Sequence, residues 1–379
     1  MKKFFVVLGL FVIASMALAA CAPAAEAPAA EAPAEEAPAA EEPVEEEVVE
    51  EVVEEDVKSV CLVTDSAGIG DRSFNDAVWN GLEMAKEEFG TNITYIESKS
   101  ADDYTPNLEA CIDAESDVVV CVGFMMGDAC VAAIDANPDV NFIGVDIYGL
   151  GKPNFIGIDA YMEQSSFLAG YLAAGMSETG VLGTWTGFVG PVVLSFMDGF
   201  YMGAMEYNKV HGTDVKVLGY DPKDMENAAN IGSWDDVDKG RAISETQMDN
   251  GADIIYGVCG NVSTAAAAAM QERGYGYIFG MDQDWTITNP QYADQILGSA
   301  LKNMHVAVYD IMMKLETEGT WSGEDYILTL ANGGTSLAIN ESIEIPAELK
   351  AEVEALAEKI AAGEITGASE EFYTAYRAQ

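Results

Sequence analysis

The feature that most constrains the fold is an alternation of short apolar runs and helical patterns that begins at residue 59. Short apolar runs bounded by turn residues are expected of strands that are buried on both faces. Their alternation with helices is typical of parallel sheets covered by helices and connected by right-handed βαβ units. In the first half of the chain, strands are predicted at Ser59–Thr64, Ile93–Ile96, Asp117–Val122, Phe142–Val145 and Phe155–Ile158.

The same alternation starts again after a helix rich in Ala and Gly, which the sequence predicts at Met162–Met176. The roughly 320 residues after position 57 exceed one typical compact core and suit two lobes. We therefore expect an α/β fold with two doubly wound parallel-sheet lobes, joined by a hinge, and a ligand cleft at the carboxyl ends of the strands. The second series of predicted strands comprises Val181–Trp185, Val215–Gly219, Asp253–Val258, Tyr277–Met281 and Ile296–Ala300.

The order of these patterns along the chain sets the expected limits of the lobes. The N-terminal lobe is expected to contain residues 58–162 together with about 286–325. The C-terminal lobe is expected to contain residues 163–285 together with about 326–379. A long helix predicted at Asn303–Glu318 falls in the first of these lobes.

The N-terminus has the pattern of an export signal. Lys2 and Lys3 precede the apolar stretch Phe4–Ala17, which is too short for a stable spanning helix. The following Leu18-Ala19-Ala20-Cys21 resembles a bacterial lipobox, which implies that residues 1–20 are a signal peptide and that Cys21 carries the lipid. The alternative is an ordinary secretory signal with an incidental cysteine. We expect the protein on the extracytoplasmic face of the cell membrane, anchored through Cys21.

Residues 21–57 are expected to form a disordered acidic tether behind the lipidated Cys21. After the cysteine, the segment consists almost entirely of Ala, Pro, Glu and Val and contains no basic residue. Such a composition buries too little apolar surface to offset its loss of conformational entropy. The tether would therefore hold the folded part away from the membrane.

Charge and cysteine content exclude several classes of function. The formal net charge of −46 argues against binding to nucleic acid or to anionic lipid headgroups. The six cysteines show no CxxC spacing and no Cys/His cluster, so no metal site and no cofactor are expected. Buried free thiols are expected for Cys61, Cys121 and Cys259, which lie in apolar runs, whereas Cys111 and Cys130 are candidates for a disulfide.

The loop after the first predicted strand is the first candidate binding element. Gly68 and Gly70 allow a ligand to approach the backbone closely, and Asp71 or Ser73 can cap the following helix. Phe74-Asn75 then places an aromatic ring and an amide at the mouth of the sheet, a combination that suits a planar heteroaromatic ligand.

The run from Gly70 to Asn75, followed by Trp79 and Gly81-Leu82, resembles the opening signature of the BMP family of basic membrane lipoproteins, which includes the purine nucleoside receptor A-like proteins. Further matches follow in family order over about 300 residues. They comprise Pro138–Phe142, Val145-Asp146, Ser166–Ala174, Phe196, Gly199-Phe200, Gly232–Asp236, Gly251–Asp253, Gly280–Asp284 and Ser299–Lys302.

The resemblance implies a periplasmic-binding-protein type I fold and a role as the substrate-binding subunit of an ABC importer, with its permease and ATPase subunits as partners. The implied ligand is a nucleoside, with purines favoured. Phe74 would stack on the base, Asn75 would contact it, and Asp146 would hydrogen-bond to its edge. Phe196 and Trp234 are candidates for the opposing aromatic wall.

Two further positions follow from the same resemblance, and two others complete the expected site. Asp282 would accept hydrogen bonds from the ribose hydroxyls, and Lys302 would lie near the same end. Asn261 follows Gly260 at a strand end and is either a ligand contact or a helix cap. Asp71 is expected to contribute to binding as well as to capping.

Three other interpretations remain open from the sequence. An enzyme is disfavoured because the two histidines, His211 and His305, belong to no recognisable catalytic arrangement and no P-loop or Gly-x-Ser-x-Gly occurs. The same fold could bind a sugar or another small metabolite, because aromatic side chains also stack on sugars. A surface sensor or adhesin lipoprotein without a transporter is the third alternative.

Overall fold

The computed structural model describes residues 57–378. The predicted signal peptide, the lipidated Cys21 and the tether up to residue 56 lie outside the described residues. Within residues 57–378, no helix combines the length and the apolar character needed to cross a membrane.

The described part of the chain contains twelve strands and eleven α-helices. The strands are Ser59–Val63 (β1), Asn92–Ile96 (β2), Val118–Val122 (β3), Asn141–Val145 (β4), Phe155–Ala160 (β5), Val181–Thr186 (β6), Lys216–Leu218 (β7), Ile254–Val258 (β8), Tyr277–Asp282 (β9), Ile296–Lys302 (β10), Tyr326–Leu328 (β11) and Thr335–Ile339 (β12). The helices are Phe74–Phe89 (α1), Tyr104–Asp113 (α2), Gly127–Ala136 (α3), Met162–Met176 (α4), Pro191–His211 (α5), Val237–Asp249 (α6), Thr264–Arg273 (α7), Trp285–Thr288 (α8), Met304–Glu318 (α9), Ala347–Ala361 (α10) and Glu370–Tyr376 (α11).

The strands form two six-stranded sheets, one in each lobe. The first sheet has the order β11-β5-β4-β3-β1-β2, and the second has the order β12-β10-β9-β8-β6-β7. Every strand pair is parallel except β10 with β12, which is antiparallel. The central strands β3 and β8 are buried along their whole length, as expected for sheets covered on both faces. The predicted fold class is confirmed.

The predicted limits of the lobes are wrong in two places. Residues 296–302, assigned to the N-terminal lobe, form β10 and pair with β9 in the second sheet. Residues 326–328, assigned to the C-terminal lobe, form β11 and pair with β5 in the first sheet. An apolar strand pattern shows that a segment is buried but does not show which of two similar sheets it joins, so chain order was a poor guide here.

Three chain segments pass between the lobes. They lie between β5 and α4, between β10 and α9, and between β11 and β12. Helix α4 packs on α5 in the second lobe, and α9 returns to pack on α1 in the first lobe. The two lobes are therefore connected by three crossings, the kind of connection that serves as a hinge in two-lobe proteins.

The pairing of the cysteines differs from the sequence prediction. Cys61 is bonded to Cys111 and Cys121 is bonded to Cys130, so the suggested Cys111–Cys130 pair and the free thiols at Cys61 and Cys121 are wrong. All four lie in one buried cluster on one face of the first sheet, where each strand cysteine meets a helix cysteine. Cys259 is buried and free, as predicted.

Candidate functional site

A cavity of about 310 Å³ lies where the carboxyl ends of both sheets meet. The first lobe contributes the loops after β1, β3 and β4, and the second lobe contributes the start of α5, the loop before α6 and the ends of β8, β9 and β10. Carboxyl ends of parallel strands are the usual ligand position in open α/β sheets. The cavity is therefore the candidate site.

The structure brings eight of the nine predicted site residues together on the wall of this cavity. They are Asp71, Phe74, Asp146, Phe196, Trp234, Asn261, Asp282 and Lys302. These residues come from segments that are up to 231 positions apart in sequence, between Asp71 and Lys302. Their convergence is a property of the two-lobe fold rather than of any local motif.

Asn75 is the predicted site residue that does not line the cavity. It is fully buried, and its Nδ2 donates to Asp65 Oδ1 at 2.8 Å and to Asp71 Oδ2 at 3.0 Å. Its Oδ1 has no hydrogen-bond partner among the described residues. The amide therefore lies behind two aspartates that do line the cavity and fixes their orientation.

Asp71 caps α1, as the sequence suggested, and also lies on the cavity wall. Its carboxylate accepts the backbone N–H groups of Ser73, Asn75 and Asp76 and so satisfies the first turn of α1. Ser73, the other candidate cap, has no such bond and instead donates its Oγ to Asp282 Oδ2 at 2.8 Å. This bond crosses from the first lobe to the second.

Further polar contacts hold the two lobes together around the cavity. Gln283 Nε2 donates to the carbonyl oxygen of Ser73 at 2.8 Å. Lys302 Nζ, at the end of β10, donates to Asp146 Oδ1, which follows β4 in the other lobe. Since each of these bonds joins residues of different sheets, the structure has the lobes closed.

Among the described residues, Lys302 is the single cation on the cavity wall, and it is almost fully buried. Its side chain is 1% exposed, and its Nζ lies 5.1 Å from the centre of the Phe74 ring. A buried ammonium requires compensation by negative charge, which Asp146 supplies. Phe74, which belongs to the same lobe as Asp146, adds a cation–π contact with Lys302.

Five aspartates line the cavity, and burial alters the protonation of three of them. Burial raises the pKa of Asp65 to about 6, although the Asn75 amide lowers it in part. Burial raises the pKa of Asp282 to about 7, against the opposing effect of Lys302. Burial also raises the pKa of Asp71, opposed by the amides that it caps. These carboxyl groups therefore take up protons at a higher pH than exposed aspartates do, and they accept hydrogen bonds from a ligand most fully above their raised pKa values.

Asp146 and Asp282 share an unusual backbone conformation at the ends of β4 and β9. Their φ angles are +62° and +64°, in the left-handed region that few residues other than glycine adopt. Aspartate tolerates this region better than most residues, at a cost of about 1 kcal/mol. Both carboxyl groups lie on the cavity wall. The two sheets thus present equivalent acceptors to one space.

Aromatic side chains form the rest of the wall. Phe74 and Phe124 come from the first lobe, and Phe196 and Trp234 from the second. Phe124 meets Trp234 edge to face, with 6.3 Å between the ring centres. Phe196 is 1% exposed, so it serves the core of its lobe as well as the cavity. A flat apolar ligand can be held between such rings.

Sequence reasoning missed several residues of the wall. Asp65 lies two positions after the end of β1, and Phe124 and Met125 lie two and three positions after the end of β3. The position of each just beyond a buried strand was a signal that could have identified them. Neither histidine is among the lining residues, and His305 instead borders a separate cavity of about 230 Å³. Burial lowers the pKa of His305.

Comparison with known proteins gives a match over nearly all of the described chain. A family model described as "ABC transporter substrate-binding protein PnrA-like" matches residues 58–369. The motifs that suggested a family in the sequence lie inside this range.

Two relatives and one solved structure are similar to this chain over most of its length. Basic membrane protein A2 of Borrelia garinii is 30% identical over 300 residues, which cover 78% of this chain and 84% of that protein. The ABC transporter nucleoside-binding protein BmpA of Lactococcus lactis is 29% identical over 298 residues, which cover 74% of this chain and 81% of that protein. A solute-binding protein of an ABC transporter system from Aeropyrum pernix has a TM-score of 0.71 at 24% identity, covering 84% of this chain and 96% of that chain.

Proposed function

From the premise that this chain belongs to the family of PnrA-like substrate-binding proteins of ABC transporters, we propose that it captures a nucleoside between its two lobes, with purines favoured. The closed, loaded form would then deliver the nucleoside to the permease and ATPase subunits of an importer. The name of the Lactococcus lactis relative, a nucleoside-binding protein, supports this ligand class.

The observation that carries the proposal is an unused acceptor in a cavity with aromatic walls. Asp282 Oδ1 is buried and has no hydrogen-bond partner among the described residues, whereas Oδ2 accepts from Ser73. An unsatisfied buried acceptor costs about 1–3 kcal/mol, which a ligand hydroxyl would recover. Ribose offers two adjacent hydroxyls that a carboxylate can accept, and Lys302 Nζ lies on the same wall as a donor.

The aromatic rings of the cavity wall suit a planar base. Phe74 and Phe196, from opposite lobes, can flank a ring, and stacking on an aromatic side chain contributes roughly 1–3 kcal/mol per base. Asp65 and Asp71 supply acceptors for N–H groups on the base edge, with Asn75 behind them. The cavity of about 310 Å³ is at the small end of ligand sites, as a single nucleoside requires.

The charge of the cavity indicates that the ligand is not anionic. Five aspartates face one lysine, and that lysine is already paired with Asp146. A phosphate group would meet several like charges in a poorly solvated space. We therefore propose a nucleoside rather than a nucleotide.

The site of action follows from the N-terminus and the disulfides. The lipobox-like sequence at Cys21 supports a lipid anchor, and the acidic tether would give the lobes reach from the membrane. Two disulfides in the first lobe are typical of an oxidising, extracytoplasmic compartment. We propose that the protein works on the outer face of the cell membrane, beside its permease.

A thermal-shift screen of the full-length chain tests the ligand class. Co-purified ligand is first removed by unfolding and refolding with the disulfides intact, and nucleosides, free bases, pentoses and hexoses are then compared. We expect a rise of several degrees in Tm with nucleosides alone, because a tight ligand stabilises only the folded state. A rise with sugars alone would replace the base-stacking account with the sugar alternative, and no rise with any nucleoside would overturn the proposal.

A further inference from the structure

The turn between β3 and α3 forms part of the cavity wall and is closed at its base by a disulfide. Gly123, Phe124 and Met125 line the cavity. The bond between Cys121 and Cys130, nine positions apart in sequence, joins the end of β3 to the first turn of α3. Both cysteines are 0% exposed. A short covalent ring therefore encloses the three lining residues.

This turn provides contacts of the first lobe with the second lobe beside the cavity. The rings of Phe124 and Trp234 meet edge to face at 84°, and Trp234 Nε1 donates to Met125 Sδ at 3.1 Å. Gly190, at the start of α5, approaches so closely that a Cβ there would lie 3.1 Å from the Phe124 ring. Small displacements of the turn would break all three contacts.

The backbone of the turn is a single 3₁₀ turn, Phe124–Met126, which leads into α3 and has Gly127 N donating to Phe124 O, while the side chain of Met126 is buried. Gly123 N donates to Val145 O at 3.0 Å, and Met126 N donates to Gly123 O at 3.0 Å. Gly123 has a φ of +104°, which leaves the backbone at the start of the turn free to adopt conformations that other residues avoid. The ends of such a turn must be held if its tip is to stay in one place.

The second disulfide of the same lobe differs from Cys121–Cys130 in the length of the loop that it closes and in its position relative to the cavity. Cys61–Cys111 joins β1 to α2 across 50 positions, and neither cysteine lines the cavity. In the chain-entropy description, a longer loop gives the greater stabilisation of the fold. The longer loop contains whole elements, α1 and β2, whose own packing fixes their position.

We propose that the Cys121–Cys130 disulfide is a positioning element of the binding site, which holds Phe124 and Met125 against Trp234 and so sets ligand affinity more than it sets the stability of the fold. The proposal rests on the proposed function for the identity of the ligand. Its physical basis is preorganisation, because ordering the turn before the ligand arrives removes that cost from binding.

The test compares two double variants of the full-length chain, Cys121→Ala/Cys130→Ala and the matched Cys61→Ala/Cys111→Ala. Nucleoside affinity is measured by calorimetry and Tm by calorimetric scanning. Amide hydrogen exchange of residues 123–126 is measured without ligand, so this readout remains valid even if nucleosides do not bind. Phe124→Ala, which keeps both disulfides, is measured beside them.

We call Cys121→Ala/Cys130→Ala the short-loop variant and Cys61→Ala/Cys111→Ala the long-loop variant. The short-loop variant should bind nucleoside about tenfold or more weakly, and its amides at residues 123–126 should exchange faster. Its Tm should fall less than that of the long-loop variant. The long-loop variant should keep its affinity within about twofold and its exchange at residues 123–126 unchanged. Phe124→Ala should reproduce the affinity loss. Equal affinity losses in the two cysteine variants, unchanged exchange at residues 123–126 in the short-loop variant, or wild-type affinity in Phe124→Ala would overturn the proposal. Absence of nucleoside binding by the wild type would instead reject the proposed function.

Discussion

At the scale of single residues, Phe74 is the side chain that we propose stacks on the base. It is the first residue of α1 and is half-buried against the cavity, so its ring is available to a ligand and only partly needed by the core. For Phe74→Ala we expect affinity to fall by about 10- to 100-fold, equivalent to roughly 1–3 kcal/mol, with little change in Tm. Isothermal titration with a purine nucleoside measures the first quantity.

The chain offers a matched control on the same helix. Phe89, the last residue of α1, is also half-buried but stacks on Tyr309 away from the cavity. Phe89→Ala should lower Tm at least as much as Phe74→Ala and leave affinity unchanged. If Phe74→Ala unfolded the protein or bound normally, Phe74 would be a core residue and the stacking account would fail.

The raised pKa of Asp282 leads us to expect opposite effects of pH on the stability of the fold and on ligand affinity. Because burial raises its pKa to about 7 from a model-compound value of 3.8, the folded state holds a proton that the unfolded state has lost. This group's contribution to the unfolding free energy is present below about pH 4 and is lost as the pH rises through 7. Acceptance of ribose hydroxyls requires the ionised form, so affinity should weaken as the pH falls from 8 to 5.

Titrations at several pH values, with urea unfolding of the empty protein in the same buffers, measure both profiles. In Asp282→Asn, affinity should be lower and should depend less on pH between 8 and 6.5, while the dependence contributed by Asp65, whose pKa is about 6, remains at lower pH. Asp284→Asn, two residues on, retains an oxygen that can cap α8 and should keep the wild-type profile. A wild-type affinity that is constant from pH 5 to 8 would show that Asp282 does not accept from the ligand.

Most of the candidate site could be predicted residue by residue because ligand contacts in this fold cluster just beyond buried strands. The orientation of a side chain at the start of a helix could not be predicted in this way. Phe74 and Asn75 are adjacent, yet successive helix residues point about 100° apart, so one faces the cavity and the other faces the interior. Asn75 was therefore assigned to the ligand, whereas it contacts Asp65 and Asp71.

At the scale of elements, the long periodic segments were predicted within a few residues, and several of the short ones were missed. Strand β11 has three residues and β12 has five, and both follow turns rich in polar residues and glycine. Helix α11, of seven residues, was not predicted from the sequence. Such short elements carry too little periodicity to be recognised, and tertiary contacts decide their structure.

The C-terminal segment after α11 has a structural role that its sequence does not suggest. Arg377 donates to Asp159 at 2.7 Å and to Glu163 at 2.9 Å, and its side chain is 6% exposed. Asp159 belongs to β5 and Glu163 to α4, so the guanidinium joins the two sides of one hinge crossing. The Arg377 guanidinium also lies over the Tyr161 ring at 4.1 Å.

Removal of this guanidinium should be costly because two buried carboxylates would lose their counter-charge. For Arg377→Met we expect a loss of about 3–5 kcal/mol in the unfolding free energy, measured by urea denaturation. Arg273→Met breaks an exposed pair with Asp249 and should lower the unfolding free energy far less, because solvent screens exposed ion pairs. Equal losses in the two variants would show that the buried cluster does not depend on Arg377.

At the scale of the whole molecule, two sheets of the same design place their strand ends around one cavity, and three crossings in the described part of the chain connect them. The sequence indicated the two-lobe design, but not which lobe receives β10 or β11, because both sheets accept the same apolar strands. The position of β10 in the second sheet matters for function. Lys302 ends this strand and therefore reaches Asp146 of the first lobe from across the cavity.

The central claim is that this cavity takes a nucleoside and excludes its charged relatives. The most direct measurement is a calorimetric titration of the refolded full-length chain with a purine nucleoside and with its 5′-monophosphate. We expect one site of micromolar or tighter affinity for the nucleoside, and binding of the monophosphate at least about 100-fold weaker, because five aspartates line the cavity. Equal affinity for the two, or no binding of the nucleoside, would contradict the account.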